Sequence, residues 1–336
     1  MKIAFFGTQF YERELFDKHN TNNKHNTNNK HELIYHDESL NSTTTNLAKG
    51  CDGVCAFVTD VVDEKTIDNL AKIGIKLIDL RSAGYNNVDL KTAKKHQIKV
   101  LRVPAYSPQA VAEHAVALIL TLNRKTNKAY NQVRENNFTL NNLLGFNLFE
   151  KTIGVVGTGK IGTAFCQIML GFGCKIIAFD VKENKELQEK GVVYKSFDEL
   201  LAESDIISIH CPLTPTTYHL FDKKAFEKTK KGVMIINTSR GAMIKIDDAI
   251  VALKTQQIGY LGIDVYEQEE ELFFKDLSQT IIEDDLFERL LTFNNVLITP
   301  HQGFFTNEAL TEIAKTTIQN FTDFEAGNPL KNEILI

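Results

Sequence analysis

Three polar residues sit where apolar, strand-like runs end in the second half of the 336-residue chain: Arg240 in IINTSRGAMI, Glu269 in GIDVYEQEE and His301 in VLITPHQGFF. An arginine offers a bidentate fork to a carboxylate, and a histidine exchanges a proton near neutral pH. An acid beside a histidine favours its charged form. Beside a nicotinamide, these are the groups needed to reduce a 2-keto acid. The carboxyl ends of strands are where an open α/β sheet gathers its ligands.

The carrier is indicated upstream. Gly157-Thr158-Gly159-Lys160-Ile161-Gly162 is a G-x-G-x-x-G run, preceded by the apolar stretch TIGVV and followed by a helical segment, the context that this fingerprint needs. Gly157 permits the tight turn, Gly159 lets backbone approach a pyrophosphate, and Gly162 lets helix and strand pack, with the helix N-terminus facing the negative charge. The strand-like run KIIAFD then ends at Asp180, 18 residues after Gly162. A carboxylate there accepts hydrogen bonds from ribose hydroxyls and repels a 2'-phosphate, which favours NAD over NADP.

These residues need elements to position them. Before residue 150, the runs KIAFF, ELIYH, VCAFV, IKLIDL and IKVLRV are separated by helical stretches such as Asp63 to Lys72 and Asp89 to His96, the alternation of a parallel sheet with helical crossovers. SPQAVAEHAVALILTLNRKTNKAYNQV reads as one long apolar helix, with Ser107 as N-cap and Pro108 at its first position. From Thr152 a second alternation begins (TIGVVG, KIIAFD, VVY, DIISIH, VMIINTS, YLGIDV, VLITP), in the order of a Rossmann-type domain. After Pro300 only ~35 residues remain, a helix from Thr306 to Glu325 and the tail NPLKNEILI, too few for a core of their own. They must pack on the N-terminal half. The expected fold class is therefore α/β, with two doubly wound parallel-sheet domains. A Rossmann-type NAD domain, 104–299, is inserted into a flavodoxin-like substrate domain made of 1–103 and 300–336. Hinges are expected near Val103 to Tyr106 and Thr299 to His301.

Composition restricts the partners. A net charge of -5 offers no basic face for nucleic acid or an anionic membrane, and no apolar run reaches the ~18 residues of a membrane span. Five cysteines, without C-x-x-C spacing, suit a reducing compartment, so a cytoplasmic location and no metal site are expected. The hexapeptide written twice from His19 to Lys30 reads as a solvated loop, although a metal-binding use of His19, His25 and His31 is conceivable.

At this point a family resemblance emerges. GTGKIG, HCPLTPTTYHL, NTSRGAMI, GIDVYEQE and TPHQGFFTNEA, in this order, resemble the D-isomer-specific 2-hydroxyacid dehydrogenases, and LIDLRSAGYNNVDL with VPAYSPQAVAEHAVALILTLNR narrows the likeness to the branch that interconverts pyruvate and D-lactate. The resemblance covers essentially the whole chain. It implies that His301 is the acid/base, Glu269 its partner, and Arg240 the group that binds the substrate carboxylate. It further implies backbone N–H groups near Ala83 and Gly84 on that carboxylate, Tyr106 as a second contact, and Phe304 on the methyl side of the pocket. Asp264 would lie near the nicotinamide, and Cys211, Pro212, Thr238 and Ser239 along the cofactor. A homodimer or dimer of dimers is implied, formed through the long helix from Ser107 and neighbouring surface.

Two departures are visible: the His19 to Lys30 repeat is foreign to the family pattern, and Phe304 stands where a tyrosine is an alternative. Formate dehydrogenases pair the active-site histidine with Gln, whereas Glu269 stands here. A relative acting on a bulkier 2-keto acid stays open, because one methylene shifts selectivity by only ~1 to 3 kcal/mol. NAD(H)-binding corepressors of the same fold carry extended tails, which do not stand out in this sequence.

Overall fold

The computed structural model describes residues 1–23 and 26–335. Along the chain, β1 (Lys2–Phe5), α1 (Glu12–His19), β2 (Thr21–Asn23), β3 (Asn26–Asn29), β4 (Glu32–Tyr35), β5 (Gly53–Ala56), α2 (Glu64–Lys72), β6 (Leu77–Leu80), α3 (Leu90–Lys95) and β7 (Lys99–Arg102) come first. Then follow α4 (Pro108–Arg124), α5 (Thr126–Arg134), β8 (Thr152–Val156), α6 (Lys160–Gly171), β9 (Lys175–Phe179), α7 (Lys185–Glu189), β10 (Val193–Tyr194), α8 (Phe197–Glu203) and β11 (Ile206–Ile209). The remainder is α9 (Lys223–Lys228), β12 (Val233–Asn237), α10 (Ile246–Lys254), β13 (Ile258–Ile263), α11 (Asp285–Leu291), β14 (Val296–Ile298) and α12 (Asn307–Ala326). The chain forms two compact units, one of Met1–Ser107 with Phe305–Ile336, the other of Pro108–Phe304.

The first unit holds a five-stranded parallel sheet in the order β4-β1-β5-β6-β7, the flavodoxin-like order. Its strands are short apolar runs because both faces are covered. Alternate residues Ala4 and Phe6 join Val54, Ile78 and Val100 on one face, while Phe5 meets Phe16 of α1 and Phe321 of α12 on the other. Thr306 caps α12 by accepting the Ala309 N–H, and the tail continues onto β7, where the Ile334 N–H donates to the Val100 carbonyl at 2.9 Å. Burying α12 and the tail on this sheet satisfies their apolar faces and extends the ladder at β7.

The second unit holds seven parallel strands in the order β10-β9-β8-β11-β12-β13-β14, the Rossmann order with an extra strand. One face packs Ile153, Val155, Ile176 and Met234 against α4 and α6; the other packs Ile207, Ile209 and Ile235 against residues from α8 to α11. Both sheets thus match the fold class expected from the alternation.

Two local readings change. The helix expected from Ser107 through Val133 is two helices, because Lys125 takes a left-handed conformation, φ 51°, between α4 and α5. The reason is burial: α4 sinks Ala112, Ala115, Ile119 and Leu122 into the core, whereas α5 has no buried residue and so no apolar surface to keep the chain on course. The His19 to Lys30 repeat, read as a loop, carries the antiparallel pair β2 and β3, with Thr21 opposite Asn29. Polar residues still leave backbone N–H and C=O groups that must pair, and two adjoining copies of one segment can pair with each other. His25 lies outside the described residues; His31 is buried, with Nε2 3.0 Å from Thr322 Oγ1.

Candidate active site

At the end of β8 the three glycines answer to different demands. Gly157 has φ 95°, and a Cβ there would lie 2.6 Å from Cys211 N, so the turn presses against the end of β11. A Cβ on Gly162 would lie 2.0 Å from the Gly157 carbonyl oxygen. Gly159, the residue before α6, has φ -64° and would meet nothing within 4 Å. Packing accounts for Gly157 and Gly162 but not for Gly159, whose missing side chain leaves open space at a helix N-terminus, the place where an anion is stabilised. Thr158 is buried, Lys160 is exposed and Ile161 is half-buried.

Asp180 follows β9, and its carboxylate is tied to this loop. Oδ2 accepts the Thr158 N–H at 2.5 Å and the Thr158 hydroxyl at 3.1 Å, while Oδ1 accepts the Lys182 N–H at 3.0 Å. Tyr194, on the edge strand β10, donates its hydroxyl to Thr158 Oγ1 at 2.8 Å. At the ends of β11 and β12, two buried polar atoms, His210 Nδ1 and Thr238 Oγ1, have no partner among the described residues. Burial pushes the His210 imidazole down to about 3, so it is neutral. Burial also raises the Cys211 thiol to about 12, so it too is neutral; Pro212 beside it is exposed. Ser239 donates its hydroxyl to the Ile209 carbonyl at 2.9 Å, joining the ends of β11 and β12. An open helix N-terminus, a carboxylate one strand away and orphaned polar atoms at neighbouring strand ends fit a dinucleotide.

His301 and Glu269 are brought together. His301 Nδ1 lies 2.8 Å from Glu269 Oε1, and each side chain is largely sequestered, at 15% and 14% exposure. Glu269 Oε2 accepts the Tyr266 N–H at 3.0 Å, which orients the carboxylate. His301 Nε2 has no partner among the described residues. The ring centroids of Phe274 and Phe304 stand 6.2 and 6.4 Å from the imidazole. His301 itself has φ 52°, an uncommon conformation for a non-glycine residue.

Arg240 is brought to the same loop through its neighbour. A Cβ on Gly241 would lie 2.0 Å from Tyr266 C and 2.2 Å from Glu267 N, so backbone packs directly on backbone. The Arg240 carbonyl is held by the Asn237 amide at 2.8 Å, and Nη1 donates to the Ser239 carbonyl at 2.6 Å. Among the described residues no carboxylate pairs with Arg240, which leaves its fork available to an anion.

Asp264 is fully buried after β13. Its Oδ1 accepts the Thr299 hydroxyl at 2.6 Å and the Gln302 N–H at 2.9 Å, and Oδ2 accepts the Gly303 N–H at 2.8 Å. Burial would raise this carboxyl, but the hydrogen bond and charge of His114, with Thr299 and His301, hold it below the usual range. It thus anchors the turn that carries His301.

In the first unit, the carbonyls of Ala83 and Gly84 are tied to Arg102 Nη1 and Ser82 Oγ, both at 2.8 Å. Their N–H groups have no partner among the described residues. Arg102 stacks over the Tyr85 ring at 5.0 Å, and Tyr106 is half-buried. Sequence reasoning missed His114, Tyr194, Thr299 and His210. His210, His114 and Thr299 lay within the quoted stretches HCPLTPTTYHL, VPAYSPQAVAEHAVALILTLNR and TPHQGFFTNEA, whereas Tyr194, in the short run VVY, carried no such signal.

Comparison with known proteins gives a consistent result. The family model described as "D-isomer specific 2-hydroxyacid dehydrogenase, NAD binding domain" matches residues 116–303. The chain is 48% identical to the D-lactate dehydrogenase of Escherichia coli over 335 residues, all of both chains. The apo-structure of D-lactate dehydrogenase from Escherichia coli superposes with a TM-score of 0.89 at 46% identity, covering 100% of each chain. The D-lactate dehydrogenase from Aquifex aeolicus, solved with NAD and lactic acid, gives 0.87 at 32% identity over 99% of this chain and 98% of that one.

Proposed function

This chain belongs to the D-isomer-specific 2-hydroxyacid dehydrogenases, and on that premise we propose that it is an NAD-dependent D-lactate dehydrogenase, reducing pyruvate to D-lactate and catalysing the reverse. One observation carries the reading: His301 has Nδ1 held by Glu269 at 2.8 Å and Nε2 uncommitted among the described residues. That is an imidazole oriented to exchange a proton with a ligand.

Bound NADH supplies the hydride for the keto carbon. His301 Nε2 delivers the proton to the keto oxygen, and Glu269 fixes the ring through Nδ1, so the two transfers together convert pyruvate into lactate. In lactate oxidation His301 takes the hydroxyl proton back. Arg240 holds the substrate carboxylate and polarises the keto oxygen; the lack of an ion-pair partner among the described residues supports this role. The N–H groups of Ala83 and Gly84, without a partner among the described residues, bind the same carboxylate, with Tyr106 as a further contact, and Phe304 lines the methyl side. For the cofactor, the run Gly157 to Gly162 receives the pyrophosphate and Asp180 the adenosine ribose, with Cys211, Pro212, Thr238 and Ser239 alongside. Asp264 supports the nicotinamide end.

We further propose a homodimer as the basic assembly, acting in the reducing cytoplasm. All five cysteines are free. The apolar side chains that α4 leaves uncovered are few, but Tyr130, Phe138, Leu140, Leu144 and Phe149 are each exposed in the segment after it, Leu140 and Leu144 by 82% and 88%. So many exposed large apolar side chains in one segment suit burial against a second copy. Steady-state NADH oxidation with pyruvate, 2-ketobutyrate, phenylpyruvate, hydroxypyruvate and glyoxylate, with NADPH as control and the product's chirality determined, tests the function. Highest kcat/KM with pyruvate and a D product are expected; no turnover of any 2-keto acid would end the reading.

A further inference from the structure

We propose that His114, midway along α4, is a positioning residue: with Asp264 and Thr299 it clamps the 299–303 turn in the form that aims His301. The geometry starts on the helix. His114 Nε2 lies 3.0 Å from Thr299 Oγ1 and 3.2 Å from Asp264 Oδ1, with the side chain 14% exposed. Thr299 gives its own hydroxyl proton to Asp264 Oδ1 at 2.6 Å. Its oxygen is then an acceptor towards His114, which assigns the proton to His114 Nε2.

The clamp acts on the two peptide groups after His301. Asp264 accepts the N–H of Gln302 and of Gly303, one on each oxygen. A Cβ on Gly303 would lie 3.0 Å from Asp264 Oδ2 and 3.5 Å from His114 Cδ2, so the turn sits against both side chains. His301, between Thr299 and these amides, has φ 52°. A non-glycine residue persists there only where its surroundings over-determine it. Removing the His114 donor leaves a buried carboxylate short of a partner and lets the turn relax, so Nε2 of His301 loses its aim without losing its own bond to Glu269.

The catalytic arm of the test rests on the dehydrogenase reading; the structural arm does not. Full-length His114→Leu and His114→Gln are compared with wild type by amide hydrogen exchange and by kinetics. In His114→Leu, exchange at Gln302 and Gly303 is expected to quicken about tenfold, the scale of one lost hydrogen bond. Turnover should fall by a similar factor while the NADH dissociation constant and pyruvate KM hold, and His114→Gln, which restores an N–H donor, should recover much of both. Unchanged exchange at 302 and 303 in His114→Leu would overturn the clamp, as would a His114→Gln variant no better than His114→Leu. Should His114→Leu fail to fold, Thr299→Val removes the shared hydroxyl and makes the same demand on exchange. A wild type inert toward every 2-keto acid would count against the dehydrogenase reading alone, with exchange still deciding the clamp.

Discussion

His301 and Glu269, 32 residues apart in the chain, form a hydrogen bond of 2.8 Å between Nδ1 and Oε1. The second carboxylate oxygen is fixed by the Tyr266 N–H, so neither partner is free to rotate away. Positioned acid-base catalysis contributes ~10^2 to 10^4 in rate. His301→Ala should therefore lower kcat by about that factor, and Glu269→Gln, which keeps the shape but removes the charge, by about 10- to 100-fold. NADH binding, followed by fluorescence titration, should change little in either variant. Near wild-type turnover in His301→Ala would remove the proposed proton donor.

Arg240 supplies a fork that no carboxylate among the described residues engages. Arg240→Lys keeps the charge but loses the bidentate geometry, and Arg240→Ala loses both. The pyruvate KM should rise and kcat fall in that order of severity, with the NADH dissociation constant nearly intact. Equal loss of NADH affinity would contradict the assignment.

The glycines of the β8 loop should separate stability from cofactor binding. Gly162→Ala forces a Cβ to within 2.0 Å of the Gly157 carbonyl oxygen. Overpacking of this kind costs about 1 to 3 kcal/mol, and Tm should drop by several degrees. Gly159→Ala meets nothing within 4 Å, so Tm should hold while NADH affinity falls. Thermal melts with and without NADH distinguish the two outcomes; a large Tm loss in apo Gly159→Ala would refute the ligand-based account of that glycine.

Asp60 gives the first unit a pH dependence. Its carboxylate accepts the N–H groups of Leu40 at 2.8 Å and Phe57 at 2.6 Å, yet burial, opposed by Arg81 and these amides, pushes it up to about 6. The folded chain then binds the proton more tightly than the unfolded chain. Stability from this group is fully present below the unfolded value near 3.9 and is lost as pH rises through about 6, by on the order of 1 to 3 kcal/mol. Urea unfolding from pH 4 to 7 should show this loss in wild type and a flatter profile in Asp60→Asn. Parallel profiles would refute it.

If the exposed segment after α5 seats a second copy, Leu140→Glu with Leu144→Glu should shift sedimentation to the monomer. An unchanged dimer would place the interface elsewhere.

Much of this architecture could be read directly from residue order. Each strand named from an apolar run in the two sheets is present, because buried parallel strands must be short and apolar on both faces, a local signature. The glycine fingerprint and the positions of Arg240 and His301, just past β12 and β14, were legible for the same reason, because chain neighbours define a strand end; Glu269, expected at the end of β13, instead opens a 3-10 turn, Glu269–Glu271, beyond it. The break at Lys125 was not, since it depends on where α4 leaves the core. Nor was the pairing inside the His19 to Lys30 repeat, whose composition speaks only of solvation.

The sequence alone determined the parallel alternation, the nucleotide fingerprint and the candidate chemistry, all carried by residues close together in the chain. Tertiary structure alone decided the long-range partners that no motif named, Tyr194 through Thr158 on Asp180 and His114 with Thr299 on Asp264, and the distance at which Glu269 holds His301. A hydrogen bond between distant segments depends on ångström-scale placement by the packed core, and no spacing along the chain encodes it.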